Sequence, residues 1–257
     1  MKLKLHIAVL LIISILASTV LAQGTIYTIP AYGKAMVEQG SFTDIGNSSY
    51  ATDILKLRAL NIIQGNSGRY NPAQNVTYQE AAAYLIRLLG LENEAMQKAA
   101  RVSAQGITPR YNADSWAIGY MEEAIAQGIL TEAEVNQMNT LTQAQRQAIE
   151  NQVNQEAKQR WIPLARRQAL IEERQQAAIE QNKNMRRAIS RQDLALWIFR
   201  ALKMEPVLSN DIYHIYNFAD YAQIKADRQN PVETLIQNGI LQGASTNRYG
   251  AEAGVTR

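Results

Sequence analysis

Two stretches far apart in this chain repeat the same features in the same order, and this constrains the fold more than any single residue does. Phe42-Thr43-Asp44 and Phe218-Ala219-Asp220 open them. In the first, Ile54, Leu57 and Leu60 fall at helical spacing before Asn61-Ile62-Ile63-Gln64-Gly65. In the second, Val232, Leu235 and Ile236 do the same before Asn238-Gly239-Ile240-Leu241-Gln242-Gly243. Arg69-Tyr70 and Arg248-Tyr249 follow, and Val76-Thr77 and Val255-Thr256 lie equally far beyond each Tyr. Such agreement marks an internal repeat, whose copies are too small to bury an apolar face alone and must pack on one another.

A middle copy is present but split. Tyr120, Ala124 and Ile125 lead into Gln127-Gly128-Ile129-Leu130, the counterpart of Asn238 to Leu241, while its second half comes only at Ala188-Ile189-Ser190-Arg191-Gln192-Asp193. Within a copy, Asp44 and Asp220 are placed to cap a helix or the turn leading to it. Gly65 and Gly243 supply backbone freedom where the first helix stops. Thr77-x-x-Glu80 is a capping box, and Ser190-x-x-Asp193 is a weaker form of one. Each copy therefore reads as helix, loop, capped helix, and the fold class expected is all-α. The second helix carries an apolar face of Ala81, Leu85 and Leu88 in copy one, and of Leu194, Ile198 and Leu202 in copy two.

Phe42-Thr43-Asp44, Asn61-Ile62-Ile63-Gln64-Gly65, Tyr70-Asn71-Pro72 and Thr77-Tyr78-Gln79-Glu80 together resemble the S-layer homology family. That family carries an aromatic-x-Asp opening, a Gly-Ile-Ile-x-Gly middle, an aromatic before Pro and a Thr-Arg-Ala-Glu start to its second helix. The resemblance covers 42–130 and 188–257. It implies repeats in a pseudo-threefold arrangement: 42–90, then 111–202 interrupted by an insert at 131–187, then 218–257. The third copy is incomplete as given, because Arg257 stands where its second helix should begin. Either more chain follows, or the last groove is lost, or another segment completes it, 31–40 being the candidate.

The resemblance also implies a ligand, secondary cell-wall polysaccharide, often pyruvylated, held in grooves between copies. In the family, the Arg after Ser/Thr at the second helix contacts this polysaccharide, a role carried here to Arg191 and Arg257. The chemistry suits it: a guanidinium offers a forked donor set to a carboxylate, and a helix start adds free N–H groups. Copy one has Tyr78 at that place, where a ring can stack on a sugar. Gly65, Gly243 and Gly128 either let a sugar approach the backbone or serve turn geometry alone.

The insert has no Gly and a single Pro, Pro163, and is rich in helix formers. It reads as a helical hairpin projecting from the middle copy. Leu164, Ile171, Ala178 and Met185, with Leu170 and Ala177 alongside, form a coiled-coil-like seam in its second half. Ile149, Val153, Ala157 and Trp161 form the stripe of its first half. The arm is either self-packing or a partner-binding or dimerising surface.

Residues 1–22 read as an export signal: Lys2 and Lys4, an apolar run from Leu5 to Ala17, and Val20-Leu21-Ala22 before Gln23; the rival is an uncleaved membrane anchor, for which the apolar run is shorter than the ~20 residues a span needs. Residues 23–41 follow as an N-terminal segment. No later stretch is apolar enough to span a membrane. The formal charge of +3 owes two of its units to Lys2 and Lys4, so nothing argues for nucleic acid. There is no Cys, which excludes disulfides, thiolate metal sites and Cys nucleophiles. His6 lies in the signal, leaving His214 alone in Ile212-Tyr213-His214-Ile215-Tyr216, a polar residue in an aromatic linker, without a Gly-x-Ser-x-Gly motif. No metal, cofactor or catalytic residue is expected. The leading expectation is a secreted, non-enzymatic protein anchored to the cell wall. Two rivals are an adaptor whose degenerate repeats support a partner-binding arm, and a glycosidase built on two carboxylates.

Overall fold

A computed structural model describes residues 42–257. The signal at 1–22, the segment at 23–41 and the helix expected within 31–40 lie outside the described residues. In chain order the helices are α1 (Ala51–Ala59), α2 (Tyr78–Leu88), α3 (Glu92–Ala104), α4 (Ile118–Ala126), α5 (Glu132–Met138), α6 (Gln143–Arg160), α7 (Leu164–Asn182), α8 (Arg191–Ala201) and α9 (Ala226–Gln237). Short 3-10 turns join some of them, and the described residues otherwise pair only through isolated β-bridges. The described residues divide into two compact units, one built from 42–92 together with 188–257, the other from 93–187. The middle copy expected at 111–202 is therefore parted: its first half belongs with the insert, its second half with the stretches at either end.

In the discontinuous unit, two apolar clusters have the same design. Phe42 lies on Tyr70 with ring centroids 5.3 Å apart, among Ile45, Ile54, Ile62 and Ile63. Phe218 approaches Tyr249 at 5.8 Å, among Ile215, Ile224, Val232 and Leu235. The helical stripe of α1 is narrower than its spacing suggests, because Leu60 stays exposed. After α1 the chain turns through Asn61 at φ 58°, and after α9 through Gly239 at φ 68°. These left-handed residues, not Gly65 and Gly243, stop the helices. Gly65 and Gly243 are small for a different reason. A Cβ on Gly65 would stand 2.2 Å from Cε1 of Phe42, and one on Gly243 would stand 2.6 Å from Cε1 of Phe218. The opening aromatic of each stretch packs on its glycine.

The capping box of α2 has both its bonds: Thr77 Oγ1 accepts from the Glu80 amide, and the Glu80 carboxylate accepts from the Thr77 amide at 2.8 Å. At α8, Ser190 Oγ accepts from the Asp193 amide, but Asp193 takes the Ser190 hydroxyl rather than its amide, so the box is half made. The buried faces are broader than the three-residue stripes expected. On α2, Tyr78, Ala81, Ala82, Leu85 and Ile86 are buried while Leu88 is half-buried. On α8, Ala195, Leu196, Trp197 and Ala201 are buried, with Leu194, Ile198 and Leu202 away from full exposure but less enclosed. Helices packed on more than one side cannot be described by a single stripe.

The residues just before the Thr77, Ser190 and Thr256 positions close a ring of backbone hydrogen bonds. Val76 donates to Val255, Val255 to Ile189, and Ile189 to Val76, at 2.7, 3.3 and 2.9 Å. Val76 and Ile189 are buried and Val255 is half-buried. Three chain segments distant in sequence are thereby tied at one place, each immediately ahead of a helix start or its equivalent.

The continuous unit holds α3 to α7 around Ala95, Tyr111, Tyr120, Met121, Ile129, Leu130, Val135, Val153 and Met185. Helix α3 was not evident from the spacing of apolar residues, since only Ala95 on it is buried. The insert opens with an additional short helix: Thr131 caps α5 through Glu134, and Thr142 caps α6 through Gln145, both as complete boxes. Helices α6 and α7 then form the hairpin, clamped by two hydrogen bonds from Arg174 to Glu156 at 2.8 and 2.7 Å. The seam expected along it is only partly made. Val153, Ala157 and Met185 are buried, but α7 buries no residue completely, and Trp161 and Leu164 stand out at the tip.

Candidate functional site

The opening aspartates tie loop to loop. Asp44 accepts from the backbone N–H of Tyr70 at 2.9 Å and of Asn71 at 2.7 Å. Asp220 accepts from Tyr249 and Gly250, both at 2.8 Å. Neither caps a helix: α1 begins after Tyr50 with no side-chain cap, and the 3-10 turn after Asp220 has none either. Short polar side chains seek unpaired amides, and here those amides lie on the distant loop that carries the second aromatic. The Tyr70 amide, aided by that of Asn71, holds the Asp44 carboxyl below the usual carboxylate range. For Asp220, burial works against ionisation, but the amides of Tyr249 and Gly250 outweigh it, so its pKa is lowered as well.

These ties shape one wall of a groove of about 1110 Å³ in the discontinuous unit. Asp44, Tyr50 and Asp53 line it from the start of the 42–90 stretch; Gly239, Ile240 and Gln242 line it from the loop after α9. Arg191 and Arg257, the two cations singled out from the sequence, both reach it.

The two arginines use their forks in parallel ways. Arg191 donates from Nε to the Tyr249 carbonyl at 2.9 Å and from Nη2 to the Gln242 carbonyl at 2.6 Å, with its guanidinium 5.3 Å from the Tyr249 ring centroid. Its own amide donates to Ala253. Arg257 donates from Nη1 to the Tyr70 carbonyl at 3.0 Å, and its amide donates to Gln74. They differ in charge balance. Arg257 Nη2 pairs with the Glu80 carboxylate, and its Nε is buried with no hydrogen-bond partner. Arg191 pairs with no carboxylate among the described residues and remains partly exposed. An exposed face of fixed positive charge is what an anionic ligand requires.

Tyr78 does not reach this groove. It is 7% exposed, packs edge-on to Trp197 at 5.4 Å, and donates its hydroxyl to Asp193 at 2.5 Å. Its ring is core, so it offers no stacking surface to a sugar. Nor do Gly65 and Gly243 line the groove; the Phe42 and Phe218 rings occupy the space where a Cβ on each would stand. Gly128 sits in the other unit at φ 71°, a turn glycine after α4. The residue that replaces these is Gly239, which both turns the chain and faces the cavity.

Sequence reasoning missed Tyr50, 69% exposed at the groove rim. The signal for it was the polar run Asn47-Ser48-Ser49, which leaves the aromatic after it without an apolar neighbourhood. His214 is likewise more than a linker residue. Its Nδ1 lies 2.8 Å from the fully buried Glu233, whose carboxylate also takes the amides of His214 and Ile215 and the side chain of Gln237. Burial disfavours the Glu233 charge, yet Gln237, His214 and these amides together lower its pKa. Among the described residues no cluster of His, Asp or Glu is arranged to hold a metal ion, and no helix is long and apolar enough to cross a membrane.

No curated protein and no solved structure matches the chain. Residues 41–82 match the family model described as the S-layer homology domain. That span takes in Asp44 and its loop partners, Tyr50, α1, the Phe42–Tyr70 cluster and the Thr77–Glu80 box. Domains of this kind are associated with anchoring at the cell wall and cell surface. The chain carries an S-layer homology domain at residues 41–82.

Proposed function

We propose that this protein is exported and held non-covalently at the cell wall by an anionic secondary polysaccharide bound in the groove that Arg191 and Arg257 share. The observation that carries this reading is Arg191. Two backbone carbonyls fix its guanidinium, so little side-chain entropy is lost on binding, and no carboxylate neutralises it among the described residues. A pyruvylated sugar presents the planar carboxylate such a fork accepts. Tyr50 supplies a ring face at the rim for a sugar's apolar side, and Gly239 leaves the backbone open to close approach. The sequence of residues 1–22 supports export.

The role is binding rather than catalysis. The acids that line the groove are engaged in structure: Asp44 with backbone amides and Asp53 with Lys56 at 3.2 Å, while Glu80, behind Arg257, is held by Thr77 and that arginine.

The test is co-sedimentation with purified wall sacculi, intact and stripped of secondary polysaccharide. Binding is expected to intact sacculi only, and to fall at least ten-fold in Arg191→Gln, about the value of one charge-assisted hydrogen bond. Tyr50→Ala removes an exposed ring that supports no core, so it separates a binding defect from a folding defect and should weaken binding as well. Sedimentation that survives stripping, or that neither substitution changes, overturns the reading. Wall binding absent throughout, with another protein retained through 131–187, would favour the adaptor role.

A further inference from the structure

The tip of the α6–α7 hairpin joins features that neither packing nor backbone geometry requires. Trp161 follows α6 at φ 47°, ψ 70°, the left-handed conformation that favours glycine and costs a bulky residue about 1 kcal/mol. The same residue is 83% exposed, and Leu164 just beyond it is 79% exposed. The turn between them is held firmly, since Arg167 donates from Nε to the Ile162 carbonyl at 2.7 Å and Pro163 opens α7. The apolar pair is therefore presented on a rigid mount.

Charge surrounds it with one sign. Between Glu156 and Glu172 the chain carries Lys158, Arg160, Arg166 and Arg167 and no acidic residue. Lys158, Arg160 and Arg166 are exposed, and Arg166 meets an acid only at 3.9 Å, at Glu173 further down α7. An exposed Trp and Leu ringed by long cationic side chains fit one surface in particular. Trp settles at the boundary between headgroups and acyl chains, while Lys and Arg reach to anionic headgroups around it. We infer that the hairpin tip, Trp161 to Leu164 with Lys158, Arg160 and Arg166, docks on an anionic lipid bilayer, inserting its apolar pair at the headgroup boundary without spanning the membrane. This stands independently of the groove.

The absence of cysteine allows a site-specific test. The full chain is prepared as Ala165→Cys or Ala144→Cys, both at exposed positions, each labelled with an environment-sensitive fluorophore. The first site adjoins the tip, and the second lies near the far end of α6, about 25 Å away at 1.5 Å per residue. Vesicles are equimolar phosphatidylglycerol and phosphatidylcholine, or phosphatidylcholine alone. The expected result is a blue-shifted, brighter emission at position 165 with anionic vesicles only, none at 144, and reversal at high salt. Adding Lys158→Gln, Arg160→Gln and Arg166→Gln should weaken the partitioning roughly 100-fold, and Trp161→Ala with Leu164→Ala roughly ten-fold or more. Because these residues are exposed, the variants should keep the circular dichroism of the parent. No shift at 165, an equal shift at 144, or a shift unchanged by either set overturns the inference. So does a shift at 165 that grows with protein concentration in the absence of vesicles, which would mark the tip as a contact between copies.

Discussion

Asp193 joins three elements through one carboxylate, and breaking that junction gives a sharp test of the core. It accepts from the Tyr78 hydroxyl at 2.5 Å, from Ser190 Oγ at 2.9 Å and from Arg228 Nε at 3.1 Å, with its side chain 15% exposed. Asp193→Asn preserves the shape but removes the charge and turns an N–H group toward one of the three donors. Hydrogen bonds to a charged group contribute about 1.5–3 kcal/mol each, and they do not add fully when they share an acceptor. Arg228 keeps Asp227 as a second partner. The expected cost is about 3 kcal/mol, or a fall in Tm of about 6–12 °C. Tyr78→Phe should cost about 1 kcal/mol, and the double variant should cost less than the sum by at least about 1 kcal/mol. Urea unfolding followed by tryptophan emission measures this locally, because Trp197 is buried beside Tyr78 whereas Trp116 and Trp161 are exposed. Burial disfavours the Asp193 charge, but Tyr78, Ser190 and Arg228 together lower its pKa below 3.8. A group with a depressed folded pKa contributes fully above its unfolded value and loses that contribution as pH falls through the folded one. The gap between parent and Asp193→Asn should therefore be widest near neutrality and narrow below about pH 4. A coupling energy under about 0.3 kcal/mol, or a gap that stays constant into acid, would refute the assignment.

The glycines provide a ranking. Gly243→Ala places a Cβ 2.5 Å from the Ser245 carbonyl oxygen and 2.6 Å from Phe218, and should cost about 2 kcal/mol or more; Gly239→Ala meets open space and should cost only about 1 kcal/mol for its positive φ. Denaturation midpoints in the opposite order would reject the packing role of Gly243. Thr77→Ala removes the cap of α2 and should lower stability by about 1 kcal/mol, read from the same urea curves. Trp161→Gly should raise the stability of the continuous unit by up to about 1 kcal/mol, since it relieves a left-handed residue that buries nothing.

Features whose partners lie close in the chain were legible in advance. Thr77 and Glu80 meet across a single helical turn, so their spacing already specified the cap, and Pro163 marked the bend of the hairpin. Features whose partners lie far away were not. Asp44 looked like a cap because nothing local indicates that its amides belong to Tyr70 and Asn71. Tyr78 looked exposed because it replaces an arginine at a helix start; the Asp193 carboxylate that draws it inward is 115 residues away. Arg191 and Arg257 matched in motif, yet only the fold reveals that Glu80 answers one charge and leaves the other open. The heptad of α7 failed for a related reason. A two-helix arm has a single narrow contact line, and the residues nearest its tip have nothing left to pack against.

The ring formed by Val76, Ile189 and Val255 bears on the order in which the molecule assembles. The bonds around it span long stretches of chain: 58 residues separate Arg191 from Tyr249, 115 separate Tyr78 from Asp193, and 187 separate Tyr70 from Arg257. Closing a flexible loop becomes costlier with length, and the rate of folding falls as contacts become more distant. The unit at 93–187 is continuous and closes within itself, Asn112 pairing with Lys183 and Met185, so all of its residues leave the ribosome before the ring's last member is made. Folded first, its 95 residues would replace about half of the 187-residue loop with a solid body. The unit at 93–187 should thus act as a kinetic spacer, and its removal should alter how quickly the discontinuous unit closes, read as its refolding rate.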